Sequence, residues 1–418
     1  MHIIQRTLFD FEEFIVMVKE EERLIVVLEG LNAEKLLSAL ERERWTGRKG
    51  HSIHGMWAAL IAGVVYQSPS VAGVERLLKK NKAVREICGF AMDKIPDEDA
   101  LGRFLKKLVL HEKEMEECFE SMVEQLRELF PGFGQKLVGD STDIIAWSRG
   151  HRHQPSDRDA KWGAKNASHQ RVKAKNGRRS EKEENLYYWF GYKLHLLIDS
   201  LTELPVSFAV TPANIADTIK LPTLMEKAKL KRPEAKPEVV IFDKGYDSKD
   251  NNDVIYNDYK AIPIIPIRER EGAQLEGICN AKGTPTCGCG LEMVYWGRDG
   301  KYLKYRCPAV LGKAKCKDLS PCSPSAYGYV LKLPIAEDVR RHPPVPRETK
   351  KWKRLYKLRT SVERVNSRLK DFLGLRRITV RGIAKVTVRS VLSLLVMVAT
   401  AIGMAQRGRL KEVRSLVG

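Results

Sequence analysis

Three carboxylates stand at positions where an α/β protein can bring acidic side chains together. Asp140 lies in the segment LVGDST and Asp243 in VVIFDKGYDS, each at the end of a predicted strand or just after it. Glu363 lies in YKLRTSVERVNSRLK, a predicted helix. Hard divalent cations prefer oxygen ligands, and two such ions can activate a nucleophile and stabilise a leaving oxygen. The three acids therefore predict a two-metal phosphoryl-transfer site.

The surroundings of Glu363 are strongly basic. Between Arg340 and Arg389 the sequence has 17 lysines or arginines and three acids, which are Glu348, Glu363 and Asp371. A helix built only for solubility usually mixes its charges in pairs three or four residues apart. The imbalance indicates a surface that faces a polyanion. The alternative is an amphipathic helix in which Glu363 forms ordinary ion pairs.

The whole chain is basic as well. It has 418 residues, a formal net charge of +20 and 43% hydrophobic residues, which is typical of a globular protein with two or three domains. The charge favours a nucleic-acid partner. The start of the chain shows no signal-peptide pattern, and the apolar run at 390–406 is short and contains polar residues. We predict a buried core helix there and a cytoplasmic protein without membrane contact.

The order of predicted elements divides the chain into four parts. Residues 1–130 are predicted to be helical throughout and to form an all-α, DNA-binding domain. Residues 131–266 contain strands, a hairpin and a helix, the first part of an α/β catalytic core with a mixed sheet. Residues 267–335 form a cysteine-rich insertion, and residues 336–418 return to the core with long helices.

Several local patterns within the core give specific expectations. Residues 187–199 and 204–214 are rich in β-branched and aromatic side chains and flank the turn-like SLTE, which predicts a hairpin. The basic stretch 149–184 is predicted to be a loop. Residues 260–267 (KAIPIIPI) are predicted to form a strand, although prolines weaken the pattern.

Six of the eight cysteines lie between Cys279 and Cys322. In an intracellular chain such a cluster indicates metal rather than disulfides. Two cysteine groups separated by a predicted hairpin resemble the plan of a zinc ribbon. The candidate ligands of a structural zinc ion are Cys287, Cys289, Cys307 and Cys316. The spacing is irregular and has no C-x2-C pair, so an insertion without metal remains open.

Other side chains near the acidic positions have two interpretations. Asp143 competes with Asp140 as a ligand, but an odd offset along a strand turns it to the opposite face. Asp247 is predicted to cap its turn or the next helix. Lys193 and His195 share one face of a strand, where they either contact phosphate or lie on an ordinary surface.

Three tryptophans of the core also have two interpretations. Trp147, Trp162 and Trp189 could stack on a base that leaves its duplex. Packing in the hydrophobic core is the favoured prediction for each of them.

The motif Y-x2-R-x3-E-x6-K, formed by Tyr356, Arg359, Glu363 and Lys370, resembles the signature of DDE transposases of the insertion-sequence four superfamily. Its four residues lie at helical spacing on one stripe. Nearly the whole chain is similar to this family, through GDST at 139–142, DRDAKWGAK at 157–165, WFGYKLHLLID at 189–199, ELPVSFAVTPANIAD at 203–217, IFDKGYDS at 241–248 and, in the helical part, DEDALGRFLKKL.

The resemblance implies a ribonuclease-H-like fold and a metal-binding triad. Asp140, Asp243 and Glu363 would bind Mg²⁺, or Mn²⁺ in its place. The metals would activate water to nick DNA at the ends of an insertion sequence. The freed 3′-hydroxyl would then attack target DNA, without a covalent enzyme intermediate.

The resemblance also implies the partners. Double-stranded DNA with terminal inverted repeats and target DNA are the expected substrates, and pairing of two ends favours a homodimer. In a bacterium the active protein would associate with the nucleoid. The expected DNA contacts comprise three signature residues and three further cations, namely Tyr356, Arg359, Lys370, Lys193, Arg364 and Arg368.

Two other functions remain open. One is a non-catalytic or domesticated relative that keeps only the basic DNA-binding face. The other is a metal-dependent nuclease that cuts DNA without joining it. The complete acidic triad favours the enzyme, because a protein that only binds DNA has no need of acids in a positive groove.

Overall fold

The computed structural model describes residues 19–43, 50–68, 70–151, 153–166, 186–229, 236–268, 279–280, 284–316, 322–335, 337–376 and 378–414. The helices are α1 Lys19–Gly30, α2 Glu34–Arg42, α3 Ile53–Val65, α4 Val71–Lys80, α5 Lys82–Ile87, α6 Glu98–Leu110, α7 Glu112–Leu129, α8 Leu221–Lys229, α9 Lys249–Asp253, α10 Lys350–Tyr356, α11 Thr360–Asp371 and α12 Ile383–Gln406. The strands are β1 Lys136–Ile145, β2 Lys161–Asn166, β3 Leu186–Asp199, β4 Pro205–Pro212, β5 Val239–Phe242, β6 Ile262–Ile264, β7 Val294–Asp299, β8 Tyr302–Arg306 and β9 Val330–Pro334.

Local sequence explains why several N-terminal helices begin where they do. The side chains of Ser52, Ser70 and Asn81 each accept a hydrogen bond from a backbone N–H of the helix that follows. Asp97 does the same for α6, where Ala100 N donates to its Oδ1 atom at 2.7 Å. Between residues 19 and 129 the described segments contain helices and no strand, as predicted.

The main sheet has six strands and mixed direction. Its order is β2-β3-β1-β5-β6, with β4 also paired to β3. Strand β1 runs antiparallel to β3 and parallel to β5. The predicted hairpin is confirmed, since β3 and β4 pair in antiparallel register from Tyr192↔Pro212 to Ile198↔Pro205. Sheet, helices and insertion together form the predicted ribonuclease-H-like α/β architecture.

Helix α12 lies in the centre of the hydrophobic core. It is the one helix in the described part of the chain that is long and apolar enough to span a membrane, and 94% of its apolar window is buried inside the protein. Helix α1 packs closely against it, because a Cβ atom on Gly30 would lie 2.1 Å from Ala399 O and one on Gly403 would lie 2.4 Å from Val26 O. The prediction of a buried helix at 390–406 is confirmed.

The cysteine-rich insertion has a sheet and a small core of its own. Strands β7, β8 and β9 form a three-stranded antiparallel sheet. Its inner face contributes Leu303, Tyr305 and Leu333 to a second hydrophobic cluster, against which Tyr256 of the main body packs. The predicted hairpin is confirmed, and the third strand β9 is an addition. The predicted domain boundaries after residues 130, 266 and 335 remain predictions.

Two predictions of secondary structure differ from the structure. The basic stretch 149–184 contains strand β2, which pairs with β3 at the edge of the sheet. Edge strands tolerate lysine, which hides them from patterns based on apolar alternation. The Tyr356–Lys370 segment is not one continuous helix, because a 3₁₀ segment at Lys357–Arg359 separates α10 from α11.

Candidate active site

Asp140 and Asp243 lie side by side at the edge where two parallel strands meet. In the β1–β5 register Gly139 is the partner of Phe242. The residue that follows each of them is an aspartate, Asp140 after Gly139 and Asp243 after Phe242. A Cβ atom on Gly139 would lie 2.0 Å from the Phe242 ring. Only glycine at this position lets the two strands pack closely enough to bring both carboxylates together.

The environment of Asp140 opposes its negative charge. Burial, and then the charge of Asp243, raise the pKa of Asp140 to about 7. A hydrogen bond from Ser141 N to Oδ1 at 2.8 Å and the cation of Arg359 act in the other direction. The side chain is still 21% exposed, so solvent can reach it.

Asp243 is held by its own turn and by a signature residue. It precedes a 3₁₀ turn, Lys244–Tyr246, and its Oδ1 atom accepts a hydrogen bond from Lys244 N at 2.7 Å. The same oxygen lies 3.4 Å from the Tyr356 hydroxyl, which donates to it. Burial and the charge of Asp243 raise the pKa of Tyr356 to about 12, so this hydroxyl stays protonated.

Arg359 connects the third acid to the other two. Its guanidinium pairs with Glu363, one turn further along, and its Nη1 atom lies 3.8 Å from Asp140 Oδ2. Burial lowers the pKa of Arg359, but the charges of Glu363 and then Tyr356 and Asp140 outweigh it and raise the pKa overall. Glu363 itself is half exposed on α11.

The residues at this edge have the chemistry of a divalent-cation site. The charge of Asp243 contributes to the raised pKa of Asp140, and a bound cation would relieve that repulsion. Oxygen ligands on a partly open edge suit Mg²⁺. Among the described residues no three histidine, cysteine, aspartate or glutamate side chains are grouped as a preformed metal site. Glu363 instead pairs with Arg359.

Lys370, the last residue of the signature, binds Asp143. Its Nζ atom lies 3.0 Å from Asp143 Oδ1, and Lys165 of the edge strand binds the same oxygen. Burial raises the pKa of Asp143, but the two lysines outweigh it, and the pKa is lowered overall. Asp143 therefore anchors α11 to β1 and to the edge strand, a role that the sequence did not suggest.

Arg364 and Arg368 share one buried partner. Their guanidinium groups bind the two carboxylate oxygens of Glu203, Arg364 through Nε at 2.8 Å and Arg368 through Nη2 at 2.7 Å. Glu203 lies in the turn between β3 and β4, and only 6% of its side chain is exposed. Both arginines thus fix α11 to the sheet, and their predicted phosphate contacts remain predictions.

Lys193 and His195 do not lie on an ordinary surface. Lys193 Nζ donates to Asp217 Oδ1 and to Ile215 O, both at 3.0 Å. His195 is fully buried and lies within hydrogen-bond distance of Thr211 Oγ1 at 2.9 Å. Burial lowers the pKa of His195 to about 4, although the charge of Asp217 acts against it. The sequence analysis did not name Asp217 as a partner of Lys193 and His195. It is the last residue of the segment 203–217, which resembles the transposase family.

Asp247 was predicted to cap its turn or the next helix. It follows the 3₁₀ turn Lys244–Tyr246, where its backbone N–H donates to Lys244 O, but it does not cap α9. Ser248 caps α9 instead. The carboxylate of Asp247 is fully buried and binds the guanidinium of Arg340 at 2.7 to 3.1 Å and the backbone N–H of Arg268 at 2.8 Å. Arg268 lies at the start of the cysteine-rich insertion, and Arg340 lies just after its end.

The tryptophans divide between core and surface. Trp189 is 4% exposed, and its Nε1 atom donates to Tyr192 O, which confirms the prediction of core packing. Trp147 and Trp162 are 54% and 42% exposed, so that prediction is wrong for them. Trp147 follows β1, and Trp162 lies on the edge strand β2.

The cysteines of the insertion differ in burial. Cys287 and Cys307 are buried, and Cys287 belongs to the small core. The Cys289 sulfur lies 3.4 Å from that of Cys322 and 3.5 Å from that of Cys316. The structure thus brings Cys289 close to Cys316 and to Cys322, and the predicted four-cysteine zinc site remains a prediction. Cys279 forms an isolated antiparallel β-bridge with Pro285.

Comparison with known families agrees with this geometry. The family described as Transposase DDE domain matches residues 136–399, and a second described as Transposase domain (DUF772) matches residues 12–107. The chain is therefore a DDE transposase of the insertion-sequence type. It belongs to the Transposase DDE domain family, whose match begins at the strand that carries Asp140 and extends through Glu363.

One solved structure with a similar course of the chain is a cryo-EM structure of a piggyBac transposase synaptic complex with hairpin DNA. It is 11% identical, and the match covers 95% of this chain and 79% of that chain with a TM-score of 0.39. A search of curated proteins gives no match.

Proposed function

We propose that this transposase cuts DNA at the ends of its insertion sequence and joins the 3′ ends to target DNA by two-metal phosphoryl transfer. The observation that supports the proposal is the position of Asp140 and Asp243 at the ends of two neighbouring parallel strands. Arg359 contacts both Asp140 and Glu363 and so links the third acid to this site. A protein that only binds DNA gains nothing from three acids arranged in this way, since each repels phosphate.

Asp140, Asp243 and Glu363 are the residues that would hold Mg²⁺ or Mn²⁺. When bound, such ions activate water and stabilise the charge of the leaving oxygen. Arg359 places a permanent cation between Asp140 and Glu363, where its planar guanidinium can also bind a phosphate in two-point fashion. Tyr356, protonated beside Asp243, is a hydrogen-bond donor for the same phosphate.

The DNA surface is proposed to extend outward from this edge. Three cations at the end of α10 and in the next turn, Lys353, Arg354 and Lys357, are exposed. They lie directly before Arg359, so a duplex held by its backbone would reach the acids. The substrates are DNA with terminal inverted repeats and target DNA, the helical region 1–130 contributes DNA contacts, and a homodimer pairs two ends. We place this activity in the bacterial cytoplasm.

A structural zinc ion in the insertion is a separate proposal. The sequence predicts Cys287, Cys289, Cys307 and Cys316 as ligands, and the structure adds the close approach of Cys322 to Cys289. The insertion core is small, so a metal cross-link would contribute to its stability. Metal analysis of purified protein should find about one zinc per chain, lost in Cys289→Ser and kept in Cys88→Ser, since Cys88 is buried in the helical region.

The decisive experiment is a cleavage and joining assay. It uses DNA that carries the inverted repeats flanking the gene, with Mg²⁺ or Mn²⁺, and compares wild type with Glu363→Gln. Asp371→Asn is the matched control, because Asp371 lies on the same helix and pairs with Arg376 away from the acidic edge. Wild type and the control should cut and join, whereas Glu363→Gln should bind the same DNA and cut it at background level.

Two outcomes would change the conclusion. Binding without cleavage by wild type in either metal would support the non-catalytic relative, and Glu363 would then be a structural ion-pair partner of Arg359. Cleavage at the repeat end without joined product would support a nuclease that lacks strand transfer. Salt-dependent binding alone separates none of these, because all of them bind DNA.

A further inference from the structure

A fourth carboxylate, that of Asp217, lies against the turn that follows Asp243. Asp217 begins a 3₁₀ turn, Asp217–Lys220, that joins β4 to α8. A Cβ atom on Gly245, in the 3₁₀ turn after Asp243, would lie 3.8 Å from Asp217 Oδ2, an ordinary van der Waals distance. The Asp217 side chain is 25% exposed, so solvent and ions can reach it.

The two 3₁₀ turns are joined by Asn251, a residue of α9. Its side chain is buried, and its Nδ2 atom donates to Thr218 O at 2.9 Å and to Tyr246 O at 2.8 Å. Thr218 directly follows Asp217, and Tyr246 lies three residues after Asp243. One buried amide therefore connects the segment that carries Asp217 to the turn that follows a proposed metal ligand.

Strand β3 holds one of the two oxygens of Asp217. Lys193 Nζ donates to Oδ1 at 3.0 Å, and His195 Nδ1 lies 3.8 Å from the same oxygen. The other oxygen, Oδ2, is the one that lies near Gly245, which has no side chain to cover it. Asp217 is thus oriented by a cation on one side and keeps an oxygen towards the Asp243 turn on the other.

The charge of Asp217 reaches the acidic edge. Burial first, and then the charges of Asp243 and Asp217, raise the pKa of Asp140 to about 7. The buried hydroxyl of Tyr246 lies within reach of the same three acids, because after burial their charges raise its pKa. A negative charge that makes ionisation of Asp140 harder also makes a cation at Asp140 more favourable.

We propose that Asp217 is a positioning residue of the transposase site, a fourth acid whose charge strengthens the binding of divalent cations by Asp140 and Asp243. It does not replace any of the three proposed ligands. The inference rests on the proposed function, since it concerns the same ions. The alternative is a Lys193–Asp217 ion pair that serves the fold alone, and the experiment is designed to separate the two.

The test measures metal binding without DNA and without catalysis. Mn²⁺ is titrated into the full-length protein, and the electron paramagnetic resonance signal of the free ion gives the bound fraction. The ions bound at the acidic edge are those lost in Asp243→Asn. Asp217→Asn keeps the size of the side chain and removes its charge, and it is expected to weaken Mn²⁺ binding at this edge by about tenfold or more, as when a group behind the metal ligands is changed. Asp217→Glu keeps the charge and should retain most of the affinity.

Two further variants separate charge from structure. Lys193→Gln breaks the same ion pair but leaves the charge of Asp217 in place, so the affinity for Mn²⁺ should not fall. Asp253→Asn is the matched control, because Asp253 also pairs with a lysine and its side chain is 26% exposed. It should bind Mn²⁺ like wild type. Melting temperatures recorded in EDTA check that each variant is folded.

Three results would overturn the inference. Equal losses of affinity in Asp217→Asn and Lys193→Gln would make the ion pair a structural contact. Unchanged Mn²⁺ binding in Asp217→Asn would exclude a contribution of its charge, and a loss in Asp217→Glu as large as that in Asp217→Asn would show that charge is not the cause.

The same titration distinguishes this inference from the proposed function. Mn²⁺ binding that is lost in Asp243→Asn and unchanged in Asp217→Asn would reject the role of Asp217 alone and leave the two-metal site standing. Wild type that takes up no Mn²⁺ at the acidic edge would overturn both.

Discussion

Arg340 binds the buried carboxylate of Asp247 through both Nε and Nη2, with distances between 2.7 and 3.1 Å. Asp247 lies four residues after Asp243, and its second contact is the backbone N–H of Arg268. Arg268 lies at the start of the cysteine-rich insertion, residues 267–335, and Arg340 follows its end. One carboxylate therefore joins both ends of the insertion to the turn that follows Asp243, a proposed metal ligand.

Replacing Arg340 by methionine should strongly destabilise the protein. The substitution leaves the fully buried carboxylate of Asp247 without its cation. We expect the free energy of unfolding to fall by about 3–5 kcal/mol, the range for breaking a buried ion pair from one side. Equilibrium urea denaturation measures it. Arg341→Met is the control and should cost at most about 1 kcal/mol, because the Arg341–Asp338 pair is at 3.4 Å and partly exposed. Equal losses would contradict the assignment.

Alanine at Gly139 should disrupt the acidic edge. Its Cβ atom would lie 2.0 Å from the Phe242 ring, so β1 and β5 must separate or the ring must leave its place. We expect a loss of at least about 1–3 kcal/mol in unfolding free energy, as for overpacked cores, together with loss of cleavage. Gly102→Ala in α6 is the control, since nothing lies within 4 Å of its added Cβ. It should stabilise the protein by about 0.5–1 kcal/mol. A fully active Gly139→Ala protein would show that close packing of these strands is not needed.

Protein stability should decrease with acid in a way that depends on His195. Burial lowers the pKa of this histidine to about 4 from its ordinary 6.5, so the unfolded chain takes up the proton first. The neutral His195 therefore contributes fully to the free energy of unfolding above pH 6.5. This contribution, about 3 kcal/mol, is lost as the pH falls towards 4. Denaturation at pH 7.5, 6 and 5 should show a shallower pH dependence for His195→Asn than for wild type. His54→Asn, at a side chain that is 40% exposed, should keep the wild-type slope.

The exposed cations before Arg359 should determine the salt dependence of duplex binding. Each phosphate contact removed lowers the slope of log affinity against log salt by about 0.9. We expect a decrease of about 2–3 when Lys353, Arg354 and Lys357 are all replaced by alanine. Binding titrations between 50 and 200 mM salt are suitable, as this range resolves the slope for proteins with several phosphate contacts. Arg364→Ala should change the slope by less than about 0.9, because its guanidinium is held by Glu203. A larger change would establish Arg364 as a phosphate contact.

The sequence predicted the elements well wherever local pattern and burial agree. The β3–β4 hairpin, the helices before residue 130, the buried helix at 390–406 and the β7–β8 hairpin are all present. Strand β2 was missed because lysines at a sheet edge remove the apolar alternation that marks a strand. The break at Lys357–Arg359 was missed because the residues on both sides keep helical spacing.

Cation partners were the least predictable part of the site. A run of arginines and lysines indicates a polyanion, yet Arg364, Arg368 and Lys370 are engaged by Glu203 and Asp143, which come from distant segments. Nothing local in a helix shows which acids the rest of the chain will place beside it. Asp247 shows the same limit from the other side, since a turn aspartate looks like a cap until its distant arginine is known.

The sequence by itself determined the three acids, the four spaced signature residues, the basic surroundings and the order of strands and helices, because these are carried by residue type and by local periodicity. Only the tertiary structure decided which groups touch. It placed Asp140 beside Asp243 through the register of two parallel strands, directed Arg359 between two acids, buried His195, and brought Asp217 to Lys193. These contacts join segments far apart in the chain, and their formation depends on how whole strands and helices pack against one another.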